Sequence, residues 1–318
     1  MTSPYRYHIL LLAFIFATTP HFSSPTSLLA AEISPRGSFA RPVSDAPADT
    51  RYGPFNLFDH RSLYGKGIFP EPFLIGDTDL EINELRFDWL HSQGKGRVND
   101  FSRVEFEKGF GLMTLELELP YERDAGHTFN PLSRQTEGSR SEGIGNISIA
   151  LRHPVYQFVT RDESIDSTFG VALEVGIPTN SPVSKNAEVV PKIFSDLRWG
   201  DHFTLQTLLG YSFRRGSGEA GGAQTVEYGL VLGYAIPHED FPLPGVDRLT
   251  PMFELSGETA MNHGAGHNIL LGNAAFRLNL KAIGRVQPRL GVGYVFPIDG
   301  GAKNELRWGI YTSLVFEF

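Results

Sequence analysis

The feature that most limits what this chain can become is a two-residue alternation of apolar and polar side chains. It is renewed segment after segment from residue 77 to the C-terminus. Successive side chains of a strand point to opposite faces, so each such segment reads as a strand with one apolar and one polar face. Leu115, Leu117, Leu119 and Tyr121 alternate with Thr114, Glu116 and Glu118. Phe169, Val171, Leu173, Val175 and Ile177 alternate with Thr168, Gly170, Ala172, Glu174 and Gly176. Val286, Leu290, Val292, Tyr294 and Phe296 face away from Arg285, Gln287, Arg289, Gly291 and Gly293. Leu306, Trp308, Ile310, Leu314, Phe316 and Phe318 face away from Arg307, Tyr311, Ser313 and Glu317. The same pattern runs through 146–152, 203–213, 226–236 and 270–280. It is less regular in 77–90, 101–108, 189–199 and 250–261. In the first of these the apolar face switches from Leu80 and Ile82 to Leu85, Phe87 and Trp89. A one-residue shift exchanges the two faces, so a β-bulge is expected near Asn83–Glu84. The total is about 12 strands, and bacterial membrane barrels have even numbers.

A soluble β-sandwich also alternates in this way. Two observations favour a barrel. Large aromatics sit near strand ends on the apolar face (Trp89, Tyr121, Tyr211, Phe213, Tyr234, Phe296, Trp308), as in interfacial girdles. The opposite face carries Glu, Arg, Asn, Gly and Ser in nearly every strand, as a lumen would. A membrane helix needs about 20 apolar residues, and the only apolar run of note, Ile9–Ala17, is shorter. A membrane-spanning form must therefore be a closed barrel. The expectation is an all-β fold, a transmembrane antiparallel up-and-down β-barrel over 77–318 in the bacterial outer membrane, with lipid as its surroundings.

Residues 1–31 read as a signal peptide: Arg6 precedes the apolar core, and Ala30 and Ala31 offer cleavage positions, with Leu rather than Ala at −3. Residues 32–76 are irregular, broken by Pro35, Pro42, Pro47, Pro54, Pro70 and Pro72. Their aromatic anchors leave two readings open, a periplasmic extension or a plug in the barrel. With the last strand ending on the periplasmic side, joints 91–100, 122–142, 178–188, 214–223, 262–267 and 297–304 fall outside. Joint 237–249 is then long for a periplasmic turn.

Cys 0 excludes a disulfide framework and Cys-based metal sites, and a net charge of −8 argues against a nucleic-acid partner. The polar face nominates Glu116, Glu118, Arg152, Glu174, Glu227, Glu254, Arg277, Arg285, Arg289 and Arg307 as lumen-lining residues. Acids dominate the early strands and bases the last three. They either set a transverse field that orients solutes or brace neighbouring strands as Glu–Arg ladders. His263 and His267 have metal-ligand spacing for a helix, but they flank a Gly-rich turn. Glu116 and Glu118 share a strand face, which suits a hydrated wall better than acid–base catalysis. No catalytic, cofactor or metal site is therefore expected.

The end of the chain, Ser313 to Phe318, resembles the terminal strand of bacterial outer-membrane proteins, with Phe318, Phe316 and Leu314 matching. That resemblance implies that Phe316 and Phe318 are read by the barrel assembly machinery. Gly143-Ile144-Gly145-Asn146 followed by 147–152, and Gly176-Ile177-Pro178-Thr179-Asn180, resemble segments of the outer-membrane transporter family named for the meta-pathway of phenol degradation. Asn146 stands for the usual Asp and Asn180 for the usual Gly. The resemblance spans about a fifth of the chain and implies passage of small hydrophobic or aromatic compounds. Three functions follow in order: a channel or transporter for small solutes, a structural or interaction barrel without an open pore, and a membrane-embedded hydrolase.

Overall fold

A computed structural model describes residues 67–78, 83–94, 97–110, 113–124, 141–216, 221–264 and 266–318. The signal segment 1–31 and residues 32–66 lie outside the described residues. The strands are β1 (Glu84–Gly94), β2 (Arg97–Phe110), β3 (Met113–Asp124), β4 (Ser141–Ile144), β5 (Ile147–Val159), β6 (Ile165–Ile177) and β7 (Ala187–Trp199). They continue as β8 (Phe203–Arg215), β9 (Gln224–Tyr234), β10 (Ile236–Pro237), β11 (Val246–Ala260), β12 (Asn268–Leu280), β13 (Gln287–Pro297) and β14 (Trp308–Glu317). All pairings are antiparallel, and β14 pairs with β1 to close the wall. The result is a 12-stranded barrel with two extra short strands, which continue β5 and β9 across local breaks.

Each break has a cause. Glu118 faces Ser148 and Tyr121 faces Ile144, so two residues of β3 oppose three of the other strand, a bulge at Gly145–Asn146. The Gly145 N–H donates to Pro120 O at 2.9 Å inside that bulge. Between β9 and β10, Tyr234 falls opposite Pro251, which has no N–H for the ladder. The Ala235 N–H turns to His202 O at 2.8 Å.

Outside and inside are inverted relative to a soluble protein. The outward face exposes Phe87, Trp89, Leu117, Leu119, Leu151, Leu173, Leu209, Leu232 and Leu290, a band that water would not tolerate and lipid does. Inside, Arg86, Arg152, Arg198 and Arg277 are among the largest fully buried side chains, although arginine is almost never fully buried without a partner. No helix of the described residues is long and apolar enough to cross a membrane.

Three local expectations are corrected. β1 begins at Glu84 and keeps one register against β2 through Gly94, so there is no bulge at Asn83–Glu84. Leu80 and Ile82, which suggested it, lie outside the described residues. Leu306 was expected on the lipid face and is buried, 1% exposed, while Arg307 is exposed. The reason is a six-residue helix, Gly300–Glu305, that interrupts the approach to β14 and turns Leu306 inward. Asp299 caps that helix by accepting from Ala302 N at 2.8 Å, and it also accepts from Asn268 Nδ2 at 2.6 Å. Burial pushes the Asp299 carboxyl up, but these hydrogen bonds outweigh it and hold the group below the usual carboxylate range. Arg285 sits in the exposed Ile283–Val286 turn before β13 and does not line the wall.

Wall glycines are matched to aromatic neighbours. A Cβ on Gly170 would fall 2.2 Å from the ring of Phe194, its cross-strand partner. Gly170→Ala is expected to destabilise the barrel by about 1–3 kcal/mol through overpacking. Adding Phe194→Leu should recover most of that loss. Urea unfolding in lipid vesicles measures both.

Candidate functional site

The lumen is built from the inward residues of the strands and from one piece of chain that belongs to no strand. Residues 67–78 run inside the wall, with Phe73, Leu74 and Ile75 0–3% exposed. They join a buried apolar cluster with Leu90, Phe101, Leu208, Val231, Leu271, Val295 and Tyr311. The wall makes room by omitting side chains. A Cβ on Gly229 would lie 2.1 Å from Ile75 Cγ2, one on Gly291 2.7 Å from Phe73 Cζ, and one on Gly233 3.1 Å from Pro70 Cγ. Close approach of another backbone is one of the uses of glycine in a strand.

Polar side chains of the wall satisfy the backbone of the inserted segment. The Phe73 N–H donates to Glu254 Oε1 at 2.6 Å. Arg277 donates to Glu71 O at 2.6 Å and Pro72 O at 3.2 Å, and its guanidinium lies 4.3 Å from the Phe73 ring centroid. Arg86 donates to Pro72 O and, at 2.8 Å, to Asp77. Glu71 pairs with Arg289 and, at 3.4 Å, with Arg277. Gln206 Nε2 donates to Thr78 Oγ1 at 2.9 Å.

On one side of the segment the wall carries an ion-pair network. Arg103 on β2 reaches Asp88 at 2.7 Å, Glu105 at 3.3 Å and Glu118 at 3.0 Å. Arg152 on β5 pairs with Glu107 and, at 3.3 Å, with Glu116. Lys192 pairs with Glu174. These contacts have the geometry of the bracing alternative.

Beside the inserted segment lies a solvent-open cavity of about 100 Å³. Leu74, Ile75, Gly76 and Asp77 form its floor. Its walls and floor hold Asp77, Glu105, Glu116, Glu118, Glu122, Glu174, Glu188 and Glu227 against Arg103, Arg152 and Lys192, a clear excess of acid. Of the residues nominated from the sequence, Glu116, Glu118, Arg152, Glu174 and Glu227 line this cavity. Glu254, Arg277 and Arg289 instead hold the inserted segment. Arg285 and Arg307 are exposed beyond the wall. Phe316 faces outward against Phe87 with ring centroids 6.5 Å apart, and the Phe318 N–H donates to Asn83 O at 2.9 Å.

Sequence reasoning missed Arg86, Asp88, Arg103, Glu105, Glu107 and Lys192. For the first five the signal was present as a charge at every second position, Glu84-x-Arg86-x-Asp88 and Arg103-x-Glu105-x-Glu107, but it lay in the less regular segments. Lys192 stands between Val190 and Phe194 and had no such signal.

The two segments that carried the family resemblance meet in space. The Asn146 amide donates to Asn186 O at 2.9 Å and accepts from Ser184 Oγ at 2.6 Å. Thr179 and Ser181 both donate to Ile144 O, at 2.7 and 2.6 Å. Asn180 has φ +61°, a left-handed conformation that Asn tolerates in place of Gly.

Neither a family model nor a curated protein matches the sequence. Among solved structures, the chain is similar to an outer membrane channel from Pseudomonas putida F1, at 13% identity and TM-score 0.52, over 79% of this chain and 100% of that one. It also aligns with the NanC porin, at 8% identity and TM-score 0.44, over 74% of this chain and 98% of that one. The KdgM porin aligns at 13% identity and TM-score 0.42, over 74% and 99%. The first of these likenesses shows the fold, that of an outer-membrane barrel.

Removing Arg152 strands Glu107 and Glu116 in the lumen. Arg152→Met is expected to cost about 3–5 kcal/mol, the usual loss when one partner of a buried pair is removed. Adding Glu107→Gln and Glu116→Gln should return most of it. Urea titrations of the two variants check this.

Proposed function

We propose that this protein is a gated channel of the bacterial outer membrane for small polar solutes, cations ahead of anions, with residues 67–78 as its closure. One observation supports this above others: an acid-lined cavity ends on a strip of chain that the wall does not need. The twelve wall strands hydrogen-bond to one another, so movement of the strip leaves the ladder intact. A bore of this strand number lies between the filled eight-stranded barrel and the open 16-stranded porin. The acidic lining concentrates cations near the floor.

The apolar part of the floor, Leu74 and Ile75 with Phe101 beside them, is the feature that would favour the hydrophobic or aromatic solutes implied by the resemblance. It is small beside the charged wall. Phe316 and Phe318 serve the barrel assembly machinery in this reading, and the joint 178–188 faces the cell exterior; most of joint 122–142 lies outside the described residues. The hydrolase reading loses ground, since His263 and His267 sit in the turn between β11 and β12 rather than beside the cavity.

Planar-bilayer recordings test the proposal. The intact protein should conduct weakly, and deletion of residues 67–76 should raise single-channel conductance several-fold with K⁺ preferred over Cl⁻. Joint replacement of Glu116, Glu118 and Glu174 by Gln should remove that preference. A folded deletion variant that conducts no better than the intact chain would favour a structural or interaction barrel.

A further inference from the structure

Three carboxylates meet where the inserted strip touches the first two strands. Asp77 comes from the strip, Glu84 from the start of β1 and Glu105 from β2, and one oxygen of each lies within 4.8 Å of the others. Glu84 is 1% exposed, and neither of its oxygens has a hydrogen-bond partner. Asp77 Oδ1 and Glu105 Oε1 also have none. Glu84 thus brings two oxygens without a hydrogen-bond partner to the group, while Glu105 Oε1 has only Arg86 at 3.7 Å.

The local cations do not balance this group. Arg86 sits 2.8 Å from the other Asp77 oxygen and 3.7 Å from Glu105, but it also serves Asp88 at 2.8 Å. Arg103 is shared among Asp88, Glu105 and Glu118. Two guanidinium groups therefore face five carboxylates, and neither makes a hydrogen bond to Glu84. A buried ionised carboxylate without a partner is strongly disfavoured. The neighbouring group of Glu105, Glu116 and Glu118 is equally compact, but Glu116 and Glu118 already hold Arg152 and Arg103.

We propose that Asp77, Glu84 and Glu105 bind a hard divalent cation, Ca²⁺ in the first instance, which ties the inserted strip to the barrel wall. Ligands of a calcium ion with bonds of about 2.4 Å lie no more than about 4.8 Å apart, and these three oxygens satisfy that limit. The donor set is all oxygen, which suits Ca²⁺ or Mg²⁺ and not zinc. Calcium accepts the irregular geometry of three side chains from separate elements, with water completing its shell, whereas magnesium demands an octahedron. Arg86 beside the site lowers the affinity. A dissociation constant of about 10⁻⁴ M, in the range of extracellular calcium modules, is expected. No local pattern marks the site, because Asp77 enters it from outside β1 and β2.

The test uses the full chain in detergent micelles, stripped with EDTA and titrated with CaCl₂ in a calorimeter. One saturable equivalent is expected. Glu84→Gln and Asp77→Asn should each weaken binding at least tenfold, and Glu163→Gln, in an exposed turn, should not. Calcium should also slow amide exchange in residues 74–78 of the intact protein. Asp77 lies off the wall, so Asp77→Asn decides the matter alone if Glu84→Gln fails to fold. Absence of saturable uptake up to about 10 mM, well above the weakest biological calcium sites, would overturn the proposal and leave the cluster holding protons. So would unchanged binding in Asp77→Asn.

Discussion

The pairing of β14 with β1, from Glu84 opposite Glu317 to Gln93 opposite Trp308, is the contact on which everything else depends. Lipid offers no hydrogen bonds, so a sheet with two free edges could not stand there. Closing the sheet satisfies the backbone but forces a second choice at every residue. One face must meet hydrocarbon and the other must fill a narrow interior. The outward band and the buried arginines are the two results of that one closure.

The interior then has to be compensated from within. Charged side chains in a lumen of this width cannot all reach water, and each looks for a partner on a neighbouring strand. Arg103 and Arg152 each serve more than one carboxylate. Arg277 and Arg289 keep partners on β14, Ser313 and Glu317, and reach the inserted strip as well, through Glu71 and the carbonyls beside it. The strip is therefore held both by polar contacts and by the packing of Phe73, Leu74 and Ile75 in the buried apolar cluster of the lumen. It takes no part in the strand ladder that closes the wall, and that difference makes the strip, and not the wall, the movable part of the proposed channel.

The wall was legible in the sequence because its signal is strictly local. Period-two alternation needs only the residue and its neighbours, and the twelve segments match the twelve barrel strands one to one. Errors gathered where another element intervened. Leu306 keeps the parity of a lipid-facing residue, yet the helix at Gly300–Glu305 turns it inward. Asp77 to Leu90 reads as one bulged strand, but the strand starts at Glu84, after a piece of the inserted strip. The lumen was half legible: alternation puts Glu116 and Arg152 on the inner face, but no local pattern says which acid meets which base. The glycines at 229, 233 and 291 looked like ordinary barrel glycines. Only the path of residues 67–78 explains their missing side chains.

The central claim is that residues 67–78 occupy the lumen against the wall of β9 and β13. The chain has no cysteine of its own, so a single engineered pair is unambiguous. Cysteines at Ile75 and Gly229, where a Cβ on Gly229 would lie 3.0 Å from Ile75 Cβ, are close enough for a disulfide with slight adjustment. In the folded protein reconstituted in lipid, the pair should cross-link on mild oxidation, and reductant should release it. Failure of the pair to cross-link in a protein that has assembled its barrel would contradict the account.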